Sequence, residues 1–312
     1  MKSLVTGGAG FIGSNLARRL LALGEVKVLD NLMLGREENI PAGAEFTKGS
    51  VMDEALVRDI VKGCDFIFHE AAHSSSPMFL ENPQVGLQEN TVGFMNVMNM
   101  ALRHGVKRVI FASTSSMYSG NPTPYSENMT VGANTFYEAS FRCREIIAQT
   151  YYRFHGLSSV ALRYFSVYGP NEKHKGRFAN NVTQFLCQIK HGLRPGIYGD
   201  GTQTRDFIHV DDAVEANLLA MKSRNGFEIF NIGTGVGTSF NTLVSLIYDA
   251  LRKRVEANYI ENPIKNYVMH TAADMTKSAE ILGFKPVITL KEGIRRQIQH
   301  YDKIGWPEFS LQ

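Results

Sequence analysis

The chain has 312 residues, 44% apolar and 20% charged, enough to bury the core of one large α/β unit or two closely joined domains. A net charge of +3, with Lys and Arg scattered instead of gathered into a stripe, excludes a nucleic-acid footprint. No run approaches the roughly 18 uncharged apolar residues of a membrane span, and with no basic, apolar stretch before the first strand a secretory leader is not expected. Cys64, Cys143 and Cys187 form no CxxC pair, so a cytoplasmic protein without disulfides, metal or membrane contact is expected.

Residues 3–6 read as a first strand, running into Thr6-Gly7-Gly8-Ala9-Gly10-Phe11-Ile12-Gly13 and then an amphipathic helix over 15–23. Gly7, Gly10 and Gly13 permit a tight turn, close approach of a pyrophosphate to the backbone and tight helix–strand packing. The helix N-terminus adds attraction for phosphate. Residues 26–29 predict a second strand, ended by Asp30. A carboxylate there accepts hydrogen bonds from an adenosine ribose and repels a 2′-phosphate, so NAD is expected over NADP. Arg36 is assigned to the following loop.

A helix over 55–61, a strand over 66–68, a long helix over 88–104 and a strand over 109–112 follow, and the apolar runs 159–164 and 227–232 extend the sheet. Strands separated by helices of this length predict an α/β Rossmann fold, a doubly wound parallel sheet. Beyond about Phe165 come Gly/Pro breaks, a helix over 214–221 and another near 291–301. These indicate a smaller α/β substrate-capping region. The expected division is 1–165 for the dinucleotide, with segments near 206–232 returning to it, and 166–312 for the substrate.

His69-Glu70-Ala71-Ala72-His73 matches the HExxH pattern of zinc hydrolases, which requires a helix to bring residues four apart onto one face. Asp65-Phe66-Ile67-Phe68 leads into it as a strand, so no metal site is expected. The small Ala71 and Ala72 suit a strand end passing beneath a dinucleotide.

Together, residues 6–13, Asp30-Asn31-Leu32, 69–72, 111–118, 163–170 (RYFSVYGP) and 199–212 (GDGTQTRDFIHVDD) carry a specific resemblance. The chain resembles the extended short-chain dehydrogenase/reductases, and among them the NAD-dependent nucleoside-diphosphate-sugar epimerases of the UDP-glucose 4-epimerase type. Besides the glycines and Asp30, the resemblance implies cofactor contacts from Phe11, Ile12, Asn31, Leu32, Gly35, Ser50, Val51, Ala71, Ala72, His73, Asn90, Tyr137 and Phe165.

Family chemistry uses a Ser or Thr together with a Tyr and a Lys four residues later. The resemblance places the first at Thr114, the second at Tyr137, and the lysine at a position held here by Phe141. Tyr137 would take the proton of a sugar hydroxyl, with Thr114 sharing the hydrogen bond. A free phenol is only about one part in a thousand ionised at neutral pH. Losing about three pKa units of lysine assistance would cost roughly 4 kcal/mol. Arg142 and Arg144 are the nearest cations in sequence and are expected to point away from the Tyr137 face. Either another cation or base serves the site, or turnover is slow.

On the substrate side the resemblance implies diphosphate binding by Arg205, contacts from Tyr198, Asn180 and Asn181, and sugar-facing Ser75, Ser116 and Ser166. Ser166 stands where RYFNVYGP is usual. Ser115 and Ser116 stand where the family's 4,6-dehydratases carry Asp-Glu, which argues against dehydration. Residues 262–267 lack the usual arginine before Pro-Gly. The implied activity is 4-epimerisation of a nucleoside-diphosphate sugar, with UDP-hexose the expected partner. A net oxidoreductase, a decarboxylase and a weakly catalytic binding protein are the alternatives. The resemblance also implies a homodimer through the helices around 88–102 and from Tyr137 onward.

Overall fold

The structure, a computed structural model, describes residues 1–224, 226–262 and 267–307. Strands form where apolar residues run without interruption: β1 (Lys2–Thr6), β2 (Glu25–Asp30), β3 (Glu45–Lys48), β4 (Phe66–His69), β5 (Arg108–Thr114) and β6 (Ser159–Tyr164). The chain then makes β7 (Ser166–Tyr168), β8 (Gly196–Tyr198) and β9 (Thr204–His209), returns with β10 (Phe227–Ile232), and adds β11 (Gly237–Ser239) and β12 (Asn258–Ile260).

Seven strands form one parallel sheet in the order β3-β2-β1-β4-β5-β6-β10. Every residue of β5 and β6 is buried, as expected for strands covered by helices on both faces. The chain reverses direction across the sheet between β1 and β4, and a crevice opens at the carboxyl ends of these strands. The remaining strands form two small sheets, β11-β9-β7 and β12-β8. They pack with the helices Asn181–Lys190, Phe240–Leu251 and Leu290–Ile304 around Phe185, Phe207, Phe240 and Tyr301.

Several elements differ from the sequence-based expectation. The first helix, Phe11–Leu20, starts directly at the glycine turn, with Gly10 as its N-cap. The helix expected over 88–104 begins at Pro83, where Asn82 Oδ1 accepts the Val85 N–H at 3.2 Å. It widens into a π-helical turn over Glu89–Gly93 and continues as Phe94–Arg103. The wide turn carries the buried Asn90. The edge strand β3 (EFTK) has no fully buried residue and little apolar signal. Thr204–His209 joins the small sheet, whereas Phe227–Ile232 lies in the large one.

Candidate active site

At the crevice, Gly7 sits at φ +71° and donates its N–H to the Leu29 carbonyl at 2.8 Å. A Cβ on Gly7 would lie 2.6 Å from the Ala71 nitrogen, and one on Gly13 would collide with the Gly7 carbonyl oxygen. No side chain caps the N-terminus of Phe11–Leu20, and its first turn holds no acid, so its N–H groups face the cleft ready for an anion. Asp30 closes the other side. Its carboxylate accepts the Ala9 N–H at 3.0 Å and the Leu32 N–H at 2.7 Å, leaving further lone pairs for a ribose. Burial raises the Asp30 carboxyl, and the two N–H donors oppose that rise. A Cβ on Gly35 would reach within 2.8 Å of Asp30 Oδ1, so glycine keeps this carboxylate approachable. The cradle and the donor set fit a dinucleotide.

Of the residues expected around the cofactor, Gly7, Gly10, Phe11, Ile12 and Gly13 line this cleft. So do Asp30, Asn31, Gly35, Ser50, Val51, Ala71, Ala72, Tyr137 and Phe165. Three do not. Leu32 (φ +61°) contributes its N–H to Asp30. Asn90 is spent as a bracket: its Oδ1 accepts the His73 N–H at 2.8 Å, and its Nδ2 donates to the His73 carbonyl at 3.2 Å and Ser140 Oγ at 2.9 Å. His73 is buried, with Nδ1 3.2 Å from Glu89 Oε2.

The HExxH segment is strand and loop, not helix. His69 ends β4 with Nδ1 2.9 Å from Thr6 Oγ1. Burial, then the charge of Arg144, push its pKa well below that of an ordinary imidazole. Among the described residues no group of three His, Cys, Asp or Glu is placed to hold a metal ion.

Thr114 ends β5, and the helix Phe136–His155 carries Tyr137 in its first turn. Thr135 caps that helix by accepting the Glu138 N–H at 3.2 Å, Glu138 accepts the Asn134 N–H at 2.6 Å, and Gly156 at φ +70° ends it. The Tyr137 hydroxyl donates to Thr114 Oγ1 at 3.1 Å, while Thr114 Oγ1 donates to Ser116 Oγ at 3.2 Å and accepts the Ser116 N–H. All three side chains line the cleft that begins at the glycine turn. Burial pushes the Tyr137 phenol above the ordinary tyrosine value; the Thr114 hydrogen bond opposes this.

The expected direction of Arg144 is corrected by the structure. Seven residues beyond Tyr137 and three beyond Phe141, it lies on their face of the helix. Its guanidinium stacks on the Phe141 ring, 4.8 Å from the centroid, and is fully buried. Arg142 does point elsewhere, pairing with Glu145 at 3.0 Å. Glu70, which also lines the cleft, accepts from the Tyr164 hydroxyl at 3.0 Å, and burial raises its carboxyl to about 7. Nothing in a strand-end HEAA pattern signals that shift in advance.

Sequence reasoning also missed the polar cluster behind the helix. Arg163 on β6 donates to both Glu145 oxygens, at 2.8 Å each, and Ser113 Oγ donates to Glu145 Oε1 at 2.8 Å. The RYF segment was its one visible trace.

Of the expected substrate residues, Ser116, Ser166 and Asn180 line the cleft. Asn180 also caps Asn181–Lys190 by accepting the Val182 N–H at 3.0 Å. Ser75, Asn181, Tyr198 and Arg205 are not part of its wall. Ser75 is the N-cap residue of Ser76–Glu81, Asn181 opens its helix and Tyr198 ends β8. Arg205 on β9 donates to the Thr204 carbonyl at 2.8 Å. The acids near it in sequence are engaged elsewhere: Asp206 accepts from Thr234, Gly235 and Ala273, and Asp212 from Val287 and Ile288. Residues 263–266 of the unusual 262–267 segment lie outside the described residues.

A Rossmann sheet whose switch point carries a dinucleotide cradle, with a phenol and a hydroxyl bonded beside it, places the chain among nicotinamide-dependent enzymes. Sequence comparison supplies the family. Residues 3–233 match the NAD dependent epimerase/dehydratase family, and the chain belongs to it. The chain is 33% identical over 310 residues to the UDP-glucose 4-epimerase of Mycolicibacterium smegmatis, covering 96% of this chain and 98% of that one. It is 31% identical over 319 residues to a UDP-N-acetyl-alpha-D-glucosaminuronate decarboxylase of Bacillus cytotoxicus, covering 97% and 98%. Among solved structures, UDP-glucose 4-epimerase of Thermotoga maritima with UDP-glucose superposes at a TM-score of 0.93 and 34% identity, covering 97% of this chain and 99% of that one. The cofactor of this family is NAD, and its members include epimerases and decarboxylases of nucleoside-diphosphate sugars.

Proposed function

We propose that the chain epimerises a nucleoside-diphosphate hexose at C4, with UDP-hexose as substrate, through a 4-keto sugar. The observation that carries this reading is the 3.1 Å hydrogen bond from Tyr137 to Thr114 beside the dinucleotide cradle. Bound NAD supplies a reversible two-electron acceptor. Tyr137 Oη removes the proton of the sugar 4-hydroxyl as that carbon is oxidised, and returns it when the carbon is reduced on its other face. Thr114 Oγ1 and Ser116 Oγ hold the sugar oxygen in line with the phenol. Phe11–Gly13 and Asp30 hold the dinucleotide, and Arg205 and Asn180 serve the diphosphate. Residues 1–165 with 210–232 thus form the cofactor part and the remainder the substrate part. Ser115 and Ser116 offer no acid for dehydration, which supports epimerisation.

Incubation of NAD-loaded protein with UDP-glucose, UDP-galactose and their N-acetyl and uronic acid counterparts tests this. The 4-epimer is expected, with no net NADH. Accumulating NADH or released CO2 would instead establish the oxidoreductase or decarboxylase reading, and binding without turnover the non-catalytic one.

The homodimer is proposed on the same footing. Val92, Met95 and Ile146 are exposed on the two helices involved, whereas Val97 and Met98 are fully buried in the subunit's own core. Met95→Glu with Ile146→Glu is expected to halve the mass seen by sedimentation. A parent protein that sediments as a monomer sinks the idea.

A further inference from the structure

A buried arginine is costly unless its charge is met, and Arg144 is among the largest fully buried side chains of the chain. Its Nε donates to the Asn90 carbonyl at 2.7 Å and its Nη2 to the Ala71 carbonyl at 2.9 Å, while Nη1 is buried with no hydrogen-bond partner among the described residues. Two carbonyl dipoles hold the guanidinium, but no carboxylate lies within ion-pair distance of it among those residues.

The rings beside it form a continuous column. Tyr137 and Phe141 meet edge to face at 5.0 Å, and the face of Phe141 carries the Arg144 guanidinium at 4.8 Å. Tyr137, Phe141 and Arg144 occupy one stripe of the helix at i, i+4 and i+7. Ala71, whose carbonyl Arg144 holds, lies against the turn at Gly7.

We propose that Arg144 is the positioning residue of this site: a cation placed one turn below Phe141 that stabilises the Tyr137 phenolate across the aromatic ring and ties the helix to the floor of the dinucleotide cleft. A lysine at 141 would set two cations against each other, so Phe141 is the spacer that lets the charge sit deeper.

The surrounding titratable groups agree with this placement. His69 and Glu70 face Arg144 from the end of β4, and Tyr164 on β6 donates to Glu70. His73 and Glu89 pair with each other, and Glu138 lies on the helix itself. His69 is held neutral, and Glu70, raised to about 7 by burial, is only partly ionised at neutral pH. Glu138 opposes ionisation of Tyr137, and Arg144 is the one cation in the set that favours it. Burial lowers the Arg144 guanidinium to about 9, so it stays charged at neutral pH.

The inference rests on Tyr137 being the group that takes the sugar proton, and its test does not need turnover. Protein labelled at tyrosine 13Cζ is titrated by NMR with and without saturating NAD, the Tyr137 signal being assigned by its loss in Tyr137→Phe. Arg144→Met is expected to raise the Tyr137 midpoint by about one pH unit or more, tenfold in phenolate fraction at a given pH. Arg144→Lys should fall between, and Phe141→Lys with Arg144→Met should return the midpoint to that of the parent or below. Equal midpoints in parent and Arg144→Met overturn the proposal, as does a parent Tyr137 that stays protonated over the whole range in which the NAD complex is folded. Should Arg144→Met not fold, Arg144→Lys and the double variant carry the same comparison. Failure of the epimerase reading would appear in the sugar assays and leave this titration unchanged.

Discussion

Tyr137→Phe is expected to lower sugar turnover by about a thousandfold while NAD and the nucleotide sugar still bind. The substitution removes one oxygen and keeps the ring that packs edge to face against Phe79 at 5.9 Å and Phe141 at 5.0 Å. The fold and the cleft wall therefore survive. What is lost is the proton acceptor, and a positioned acid–base group contributes about 10²- to 10⁴-fold, or roughly 3–5 kcal/mol of barrier. Thr114 cannot replace it: an alcohol is a far weaker acid than a phenol, and its Oγ1 already donates to Ser116. The pH profile separates loss of the base from a shape change. Burial holds the free phenol above its ordinary value, so in the parent kcat/KM should climb with pH through neutrality. Tyr137→Phe should flatten that climb. Activity within tenfold of the parent, measured by epimer formation under saturating NAD, would remove Tyr137 from the chemistry.

How much of this could be read before the structure depended on the range of the interaction. The six long strands of the parallel sheet that were predicted are runs whose burial on both faces leaves a continuous apolar signal: around Val5, Val28, Phe68, Phe111, Leu162 and Phe230. The glycine turn was legible because steric exclusion at Gly7 and Gly13 acts within a few residues of the chain. β3 was invisible because an exposed edge strand places no demand on hydrophobicity, and β7, β8, β11 and β12 have three residues each, too few to show a period.

The site divides in the same way. Thr114 and Tyr137 fell where the family motifs put them, and their hydroxyls meet. Asn90 and His73 turned inward because the π-helical turn at 89–93 points the Asn90 amide at the His73 backbone, a wide turn that no periodicity predicts. Arg144 was misjudged on the helical wheel. A step of seven residues returns to within about 20° of the same face, so charge on a residue is poor evidence for exposure when the backbone carbonyls of Ala71 and Asn90 await it.

The largest stability effect is expected at Glu145. Glu145→Ala should cost about 3–5 kcal/mol, because it leaves the buried Arg163 without the acceptor of two of its three hydrogen-bonding nitrogens. Ser113 Oγ loses its acceptor too. The half-exposed Arg142 loses an ion pair worth little. The remaining contacts of Arg163, a hydrogen bond to the Tyr118 hydroxyl at 2.7 Å and stacking on the Tyr118 ring, hold the cation in place without neutralising it. Tyr118 in turn donates to Asn231 on β10 at 2.8 Å, so one cluster pins the helix of Tyr137 to β5, β6 and β10. Replacing both partners, Glu145→Met with Arg163→Met, should recover a large part of the loss, since neither charge is then stranded. Urea unfolding at fixed NAD concentration measures all three proteins on one scale. A single-variant cost under about 1 kcal/mol would mean that water reaches the cluster. A double variant as stable as the parent but slower in turnover would mean that these charges fix the register of Tyr137 on Thr114 more than they stabilise the fold.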